Sequence, residues 1–567
     1  MYNTISDFIR TEESNYKTQR IPLAENYDWN MFEHITTTVL YKNSIFIKGK
    51  DDNKPFRNII RPLLNLQHRA EGFDVKDVEL YVNEAKNYYK SFLIRKYHEN
   101  WAREQKIDTF IDELVESYVD FGGALVKKLP NSPRPEVVPL QRIAFCDQTD
   151  ILSGVIVEKH YYSPDQLKET GAMHGWDMDT IEELILKSEY GKRQVYTYGR
   201  DTKTPSTYIE IYESHGVMPS EWLDEENKGD YIRQIHITGF YRDEKNGKNG
   251  IDLVAKKEIE NPYKFIARDP IYGRGLGMGG AEELFEAQVW TNYAEIRKKK
   301  FLDATRVLFQ TADSTFANKN QTHNLVDGEI LVHAPNAPLN QINTFPSSFQ
   351  LFDNAANEWL NHAQLIASAS DPILGESPKS GTPFKLQELV TNQAQGLHEY
   401  RKGQIASFFG ELYKDWIIPH LSKELGNDIE FLTELDMDEL QEIGKMMADN
   451  LVENELKERI LNGQIIMPEE IEALRTIVIT KFSESNKKFI EIVKGEMKNT
   501  PISVKVNIVG KQKYLPQMTD KLVNIFRTII SAPQILQNPG MQKLFNEIIE
   551  YSGLSPINFT GLQFQAP

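Results

Sequence analysis

The chain has 567 residues, of which 40% are hydrophobic and 26% are charged, a composition typical of folded proteins rather than disordered ones. This length exceeds what one hydrophobic core supports, so we expect about two to four domains. The formal net charge of −17 argues against a large basic face that grips nucleic acid, and the single cysteine, Cys146, excludes an intramolecular disulfide and a multi-cysteine zinc site.

The sequence contains no sign of membrane insertion. No apolar run approaches the roughly 18 residues that a transmembrane helix requires. The first residues, Met1 to Asp7, lack the basic and then apolar layout of a secretory signal. We therefore expect a soluble protein without membrane insertion.

The first 280 residues predict an α+β domain that begins with helices. The pattern from Val75 to Tyr118 is mostly helical, and Thr109 with Asp112 resembles a capping box. This helical stretch ends at Gly122-Gly123. We interpret the glycine pair as a helix stop and not as a phosphate-binding loop.

Strand signals follow within the same domain. Apolar and polar residues alternate, or β-branched and aromatic residues cluster, in three segments: 151–162, 208–213 and 231–240. Ser163, Pro164 and Gln166 predict a capping box with proline at the first helical position. A helix should therefore follow the first strand.

Residues 272–280, Tyr-Gly-Arg-Gly-Leu-Gly-Met-Gly-Gly, are too rich in glycine for a helix interior. They satisfy the GxGxxG pattern of dinucleotide-binding proteins, but their context does not. The preceding segment, Lys264 to Pro270, contains charges and a proline, and Arg297 to Lys300 stand where an acidic ribose-binding residue is expected. We interpret the glycine run as a flexible lead-in to a helix.

Two long helices of similar length are predicted next. The first runs from Ala281 to about Thr305, and four of its residues fall on one stripe at spacings of 4, 4 and 3: Phe285, Val289, Tyr293 and Ile296. The second runs from about 349 to 368 with apolar residues again three and four apart. The two matched helices predict a hairpin-like pair.

The segments around this helix pair differ in character. Val307 to Phe309 and Glu329 to His333 are short strand signals between the helices. Three prolines and two glycines exclude a continuous helix over residues 370–383. A long helix follows from Phe384 to Pro419, and residues 502–508 alternate as a strand near the end of the chain.

This order of elements resembles the portal proteins of tailed double-stranded DNA bacteriophages. The most specific local match is Tyr272-Gly273-Arg274-Gly275 leading into a helix with Gln288 and Asn292, and a second is Phe121 to Lys127 after an amphipathic helix. The resemblance implies an α+β, mainly helical portal fold assembled as a ring. Its expected parts are a wing (1–280), stem helix 1 (281–305), clip (306–346), stem helix 2 (347–369), tunnel loop (370–383), spine helix with wing return (384–432), and crown with C-terminal region (433–567).

The resemblance also implies function and partners. A portal is a ring, in this family usually a dodecamer, at one capsid vertex of the virion, through which double-stranded DNA is packaged and later ejected. The implied partners are other copies of the chain, terminase and then a tail adaptor at the clip, and the major capsid or scaffold protein at the wing. Assembly would take place in the host cytoplasm. The family needs no cofactor and no metal, since ATP is hydrolysed by the terminase.

Two groups of residues are candidates for the wall of a DNA channel. Arg297, Lys298, Lys299 and Lys300 either complement the dipole of their helix in solvent or meet DNA phosphates around a ring, where at most one or two of the four can face inward. Lys379 and Ser380 lie in a segment that is either an ordinary surface connection or a loop that touches DNA transiently.

Three common catalytic motifs are absent from the sequence. GxxxxGK[ST], HExxH and GxSxG are absent, and the twelve histidines show no ligand spacing that we recognise. We therefore expect a protein that is not an enzyme. Two alternatives stay open at this point: a cytoplasmic helical enzyme with an unrecognised active site, and a structural adaptor without a channel.

Overall fold

The computed structural model contains both helices and strands. It describes residues 4–49, 53–82, 88–130, 132–195, 208–223, 229–243, 247–304, 307–310, 312, 332, 334–337, 340–343, 350–369, 384–425, 452, 456–457, 459, 473, 476 and 502–506. The predicted tunnel loop and nearly all of the predicted crown lie outside these residues. Within them, no helix has the length and apolar character needed to cross a membrane.

The described part of the chain contains helices interspersed with strands. The α-helices are α1 (Thr4–Thr18), α2 (Met31–Lys42), α3 (Ile60–Glu71), α4 (Tyr88–Glu104), α5 (Ile107–Phe121), α6 (Pro164–His174), α7 (Met178–Val195), α8 (Gly280–Glu283), α9 (Phe285–Ala304), α10 (Gln350–Ile366), α11 (Phe384–Leu412) and α12 (Ile418–Leu425). The strands are β1 (Ile21–Ala24), β2 (Tyr27–Trp29), β3 (Val78–Val82), β4 (Gly123–Lys127), β5 (Glu136–Val138), β6 (Ile143–Phe145), β7 (Ile156–Tyr162), β8 (Ile209–Pro219), β9 (Tyr231–Asp243), β10 (Gly247–Lys257), β11 (Tyr263–Ala267), β12 (Val307–Gln310), β13 (Asn340–Asn343) and β14 (Ile502–Val506).

The chain forms two compact units. The first contains residues 1–71, 114–126 and 138–398, and the second contains residues 72–113, 127–137 and 399–567. Residues 72–113 and 127–137, which fall inside the predicted 1–280 domain, thus belong to the second unit.

A five-stranded antiparallel sheet is the centre of the first unit, with strand order β10-β9-β8-β7-β6. Tyr212 and Phe240 lie in the cluster of buried residues that also contains side chains of α1 and α2. A second cluster joins Ile181 and Leu184 of α7 to the sheet. Helix α7 approaches β9 at Gly239, where an added Cβ would lie 2.1 Å from Leu184 Cδ2. The sheet therefore has helices packed against both faces.

The capping box predicted at Ser163 is confirmed. Ser163 Oγ accepts from the backbone N–H of Gln166, the Gln166 side chain accepts from the N–H of Ser163, and Pro164 is the first residue of α6. The local sequence therefore fixes where the helix that follows β7 begins.

The glycine-rich run before α8 is tightly packed, so our interpretation of it as a flexible lead-in is wrong. An added Cβ on Gly277 would lie 1.7 Å from the carbonyl oxygen of Arg268, and one on Gly279 would lie 2.6 Å from that of Asp120. The backbone N–H groups of Gly277 and Arg268 both donate to the carbonyl oxygen of Gly122. The glycines allow two backbone segments to approach closely. Gly122 itself ends α5 with φ +82°, which confirms the predicted helix stop.

The second unit contains an antiparallel strand pair that joins distant parts of the chain. Strand β14 pairs with β3, with Val504 opposite Leu80. The strand predicted near residue 502 is therefore confirmed, but the helical pattern predicted from Val75 is wrong over Val78–Val82. Val78, Leu80 and Val82 alternate with Glu79 and Tyr81 as a strand does, but this short alternation lies within a longer helical pattern.

Helix α11 continues through a π-helical segment, Tyr413–Ile417, into α12. We predicted that the helix ends at Pro419, but Pro419 is the second residue of α12. Proline has no N–H for a bond to the carbonyl four residues earlier. A π turn just before it is the local change of winding that lets the helix continue.

A buried histidine makes the stability of the second unit depend on pH. His98 Nε2 lies 2.9 Å from the Tyr413 hydroxyl, and burial raises the pKa of Tyr413, so the hydroxyl keeps its proton and can donate to neutral His98. Burial lowers the pKa of His98 to about 4 from its ordinary 6.5. Between these values the unfolded chain binds a proton that the folded chain does not. Acid therefore favours unfolding in this window.

We expect the free energy of unfolding to be independent of His98 above about pH 6.5 and to fall by roughly 3 kcal/mol through this residue by pH 4. Urea titrations at several pH values on the wild type and on His98→Gln measure this contribution. The two proteins should differ in the slope of the free energy of unfolding against pH. His362→Gln, at an exposed histidine, is the control and should keep the wild-type slope. Equal slopes for the wild type and His98→Gln would contradict the assignment.

Candidate functional site: a helix pair and the strand pair between them

Helices α9 and α10 pack side by side in the first unit. The rings of Trp290 and Trp359 stack with centroids 6.0 Å apart and planes 9° apart. Further along α9, Lys298 Nζ lies 2.5 Å from Asp353 Oδ1, and the Phe301 and Phe352 rings lie 5.2 Å apart. As residue numbers rise on α9 they fall on α10, so the helices are antiparallel. The helix pair expected from the sequence is present.

Between the two helices the chain forms an antiparallel strand pair. Val307 of β12 is opposite Asn343 of β13, and Gln310 is opposite Asn340. The strand signal at Val307 is therefore confirmed, whereas β13 was not predicted. The second signal, Glu329 to His333, lies outside the described residues except for Val332, which is exposed.

Two buried amides hold the first part of α9 to the segment before α3. Gln288 Oε1 accepts from the backbone N–H of Ile59 at 2.8 Å, and Gln288 Nε2 donates to the carbonyl oxygen of Arg57 at 2.7 Å. Asn292 Oδ1 accepts from the N–H of Arg57 at 3.0 Å. These are two of the residues on which the sequence resemblance depends. They bind backbone groups, so they position the helix.

A buried arginine fixes the turn that leads into α8. Arg274 makes a bidentate ion pair with Glu282, with distances of 2.9 and 2.7 Å, and donates to the Gly277 carbonyl oxygen at 2.9 Å. Its guanidinium carbon also lies 5.0 Å from the ring centre of Trp29. Burial lowers the pKa of His34, whose ring lies 3.8 Å from Glu282. Buried polar contacts therefore fix the turn from which α8 and α9 begin.

Helix α9 buries polar and small side chains and exposes several large apolar ones, contrary to the usual amphipathic arrangement. Gln288, Thr291 and Asn292 are almost fully buried, beside small residues such as Ala287. Several larger apolar side chains are exposed to solvent, with exposed fractions of 37% for Val289, 44% for Trp290, 44% for Tyr293, 43% for Phe301 and 48% for Leu302. Of the four residues predicted to share one stripe, Phe285 and Ile296 are half-buried, whereas Val289 and Tyr293 are exposed.

Helix α10 adds to this apolar surface. Leu351 is 64% exposed and Leu365 is 78% exposed, while the residues of α10 that are fully buried, Ala356 and Ala363, are small. We call the exposed apolar residues of α9 and α10 the helix-pair surface. Single exposed leucines are ordinary, whereas several exposed aromatic and aliphatic side chains on two adjacent helices favour an interaction site.

The basic cluster on α9 is divided among different environments. Lys298 is bound to Asp353, and Lys299 Nζ donates to the carbonyl oxygen of Asn53 at 2.9 Å. Arg297 is exposed and its guanidinium carbon lies 4.6 Å from the ring centre of Tyr293, and Lys300 is exposed. The four residues therefore do not form one patch. Lys379 and Ser380 lie outside the described residues.

Sequence reasoning missed a second group of chemically capable residues, on strands β7 and β8. Glu158 and His160 of β7 lie against Glu213 and His215 of β8. The signal was present as Glu-x-His in each strand, a spacing of two that places both side chains on one face of a sheet. The expectation that the histidines show no ligand spacing is therefore wrong for this pair of strands.

Comparisons with known proteins give distant similarities. No protein-family model matches the chain. A curated relative, the multifunctional protein pyr1-3 of Dictyostelium discoideum, is 22% identical over 238 residues, which are 41% of this chain. The matched part is 9% of the length of that relative.

Two similar solved structures are parts of gene transfer agent particles. The virion of the native particle matches at 9% identity and a TM-score of 0.32, covering 96% of this chain and 99% of the matched chain. The neck of the empty particle matches at 10% identity and a TM-score of 0.33, covering 92% and 94%. Similarity at these TM-scores does not establish a shared fold.

Proposed function

We propose that this chain is a portal protein, which assembles into a ring around a channel for double-stranded DNA at one vertex of a virus capsid. The observation that carries the proposal is the packing of α9. This helix buries amide side chains and alanines within its own subunit and exposes aromatic side chains to solvent. A second copy of the chain is the natural cover for such a face, because rotational repetition brings the helix-pair surface of one copy against a different surface of the next.

The order of elements supports the same proposal. A helix, a strand pair and an antiparallel returning helix follow one another from Phe285 to Ile366, in the positions that the resemblance assigns to stem, clip and stem. Gln288 and Asn292, which the resemblance singles out, hold the first helix to the unit at its base. In this proposal the clip binds terminase during packaging and an adaptor afterwards, and the wing contacts capsid or scaffold protein.

The charge of the chain is compatible with DNA that must slide. A net charge of −17 and an interrupted basic cluster give few strong phosphate contacts, and each strong contact would add affinity that opposes movement. Within the cluster, Arg297 and Lys300 are the exposed members and are the ones we propose to meet DNA. Lys379 and Ser380 stay candidates for the loop that touches it. The channel itself needs no catalytic residue, cofactor or metal.

A charge placed on the helix-pair surface should prevent assembly. Leu365 is 78% exposed, so Leu365→Glu should leave the fold of the single chain intact while burying an unpaired carboxylate between copies in the ring. We expect native mass spectrometry to show large closed oligomers, about twelve chains, for the wild type and mainly single chains for the variant.

The matched control is Leu186→Glu on α7, where the leucine is 67% exposed and lies away from the helix pair in sequence. It makes the same substitution on another exposed helix and should leave the oligomer unchanged. If both variants assemble as the wild type does, the helix-pair surface is not the subunit contact. If the wild type itself stays a single chain, a structural adaptor without a channel becomes the better account.

A further inference from the structure

The sheet of the first unit carries a cluster of histidine and glutamate side chains that neither the stem nor the channel uses. Glu158 Oε1 lies 3.4 Å from His160 Nε2, and Glu213 Oε2 lies 3.3 Å from the same nitrogen. All three ligand atoms lie within 4.8 Å of one another. They come from two hydrogen-bonded strands, with Glu158 directly opposite Glu213 in the register of β7 and β8.

We propose that Glu158, His160 and Glu213 bind a divalent metal ion, with Zn²⁺ as the best fit. One imidazole nitrogen and two carboxylate oxygens are among the ligands that zinc takes in proteins. Ligand atoms about 2.0 to 2.1 Å from a tetrahedral ion lie about 3.4 Å apart, which follows from the tetrahedral angle and the usual bond length. The two distances to His160 Nε2 match this separation.

The second oxygen of each carboxylate already has a polar partner, so it is not the oxygen that would face the metal. The Tyr263 hydroxyl donates to Glu158 Oε2 at 3.1 Å, and Tyr263 is buried. His215 Nε2 lies 2.8 Å from Glu213 Oε1, and His215 Nδ1 lies 2.8 Å from Glu258 Oε1. Outer partners of this kind orient the oxygens that face a metal. The Tyr162 ring stacks on His160 at 5.7 Å and restricts the imidazole as well.

The site is shallow enough for an ion to enter and is built on rigid elements. The side chains of His160 and Glu213 are 23% and 17% exposed, whereas that of Glu158 is 8% exposed. Three protein ligands leave the fourth tetrahedral position for water. An ion bound there would join β7 and β8 at the centre of the five-stranded sheet.

The test uses the full chain, stripped with a chelator and titrated with ZnCl₂ in a calorimeter. We expect about one Zn²⁺ per chain and a higher unfolding temperature with Zn²⁺ than without it, because an ion that binds the folded state stabilises it. Glu213→Gln removes one charged ligand and keeps the side-chain shape, and it should weaken binding at least tenfold. His174→Gln, at an exposed histidine on α6, should bind as the wild type does.

The unfolding temperature of the unmodified chain gives a result even where a variant folds poorly. The proposal would be overturned if Zn²⁺ did not raise the unfolding temperature and the heats of Zn²⁺ binding were equal for the wild type and Glu213→Gln. His160 would then serve only as a bridge between two carboxylates. The outcome is separate from the portal proposal, because ring assembly is measured independently of the metal.

Discussion

Replacing Arg268 with methionine should destabilise the first unit by about 3 to 5 kcal/mol, since it leaves a buried carboxylate without its main partner. The side chains of Arg268 and Glu71 are both fully buried. Arg268 Nε donates to Glu71 Oε2 at 3.1 Å, and Nη2 donates to Glu71 Oε1 at 2.9 Å. Arg268 Nη1 also donates to the Met278 carbonyl oxygen at 3.1 Å. The arginine thus ties the end of α3 to the turn before α8.

Urea unfolding of the wild type and Arg268→Met measures this loss. Arg20→Met is the matched control, because Arg20 and Glu33 form an ion pair of 2.8 Å whose side chains are both more than half exposed. Its loss should be below about 1 kcal/mol. Adding Glu71→Leu to Arg268→Met should restore part of the stability, because an apolar pair avoids the unpaired charge. An equal effect of the buried and the exposed substitution would contradict this description of the pair.

Replacing Gly277 with alanine should have an effect of similar size, about 3 kcal/mol or more, through overlap with the backbone. The new Cβ would lie 1.7 Å from the Arg268 carbonyl oxygen and 3.0 Å from that of Gly122. No rotation of a side chain relieves a contact with a carbonyl group. The segment after Arg268 would therefore have to move away from the end of α5.

Gly396→Ala is the control for this substitution. Gly396 lies within α11, and an added Cβ there would have no atom within 4 Å. Alanine is about 1 kcal/mol more favourable than glycine inside a helix, so this variant should be slightly stabilised. The opposite ranking of the two alanine variants in thermal unfolding would show that the close approach at Gly277 is not a constraint.

Local patterns in the sequence were sufficient to place elements that depend on nearby residues. The capping box at Ser163, the stop at Gly122 and the two helices of the pair all follow from residues within a turn or two of one another. The capping box expected at Thr109 is wrong, although it was also predicted from a local pattern. Helix α5 begins at Ile107, so Thr109 lies inside the helix and not before it.

Contacts between distant segments could not be derived from the sequence. The pairing of β14 with β3 joins residues more than 400 positions apart, and no spacing within either strand indicates the other. The tight packing at Gly277 was missed because glycine serves equally in flexible segments and in close backbone approaches. The Glu-x-His pairs of β7 and β8 became visible as one cluster only when the register of the two strands was known.

The face of α9 shows a further limit. A repeat of 3.6 residues identifies an apolar stripe, but it does not say whether that stripe is covered by the same chain or by another. Val289 and Tyr293 are exposed here because Gln288 and Asn292 take the covered side of the helix, where they bond to the backbone of Arg57. In the proposed ring, a neighbouring copy of the chain covers Val289 and Tyr293.

Electron cryo-microscopy of the purified full chain tests the central claim most directly. The proposal predicts closed rings of about twelve copies with a central hole wide enough for duplex DNA, in which Trp290 and Leu365 are covered by neighbouring copies. Single chains in every condition tested, or rings in which both residues stay exposed to solvent, would contradict it.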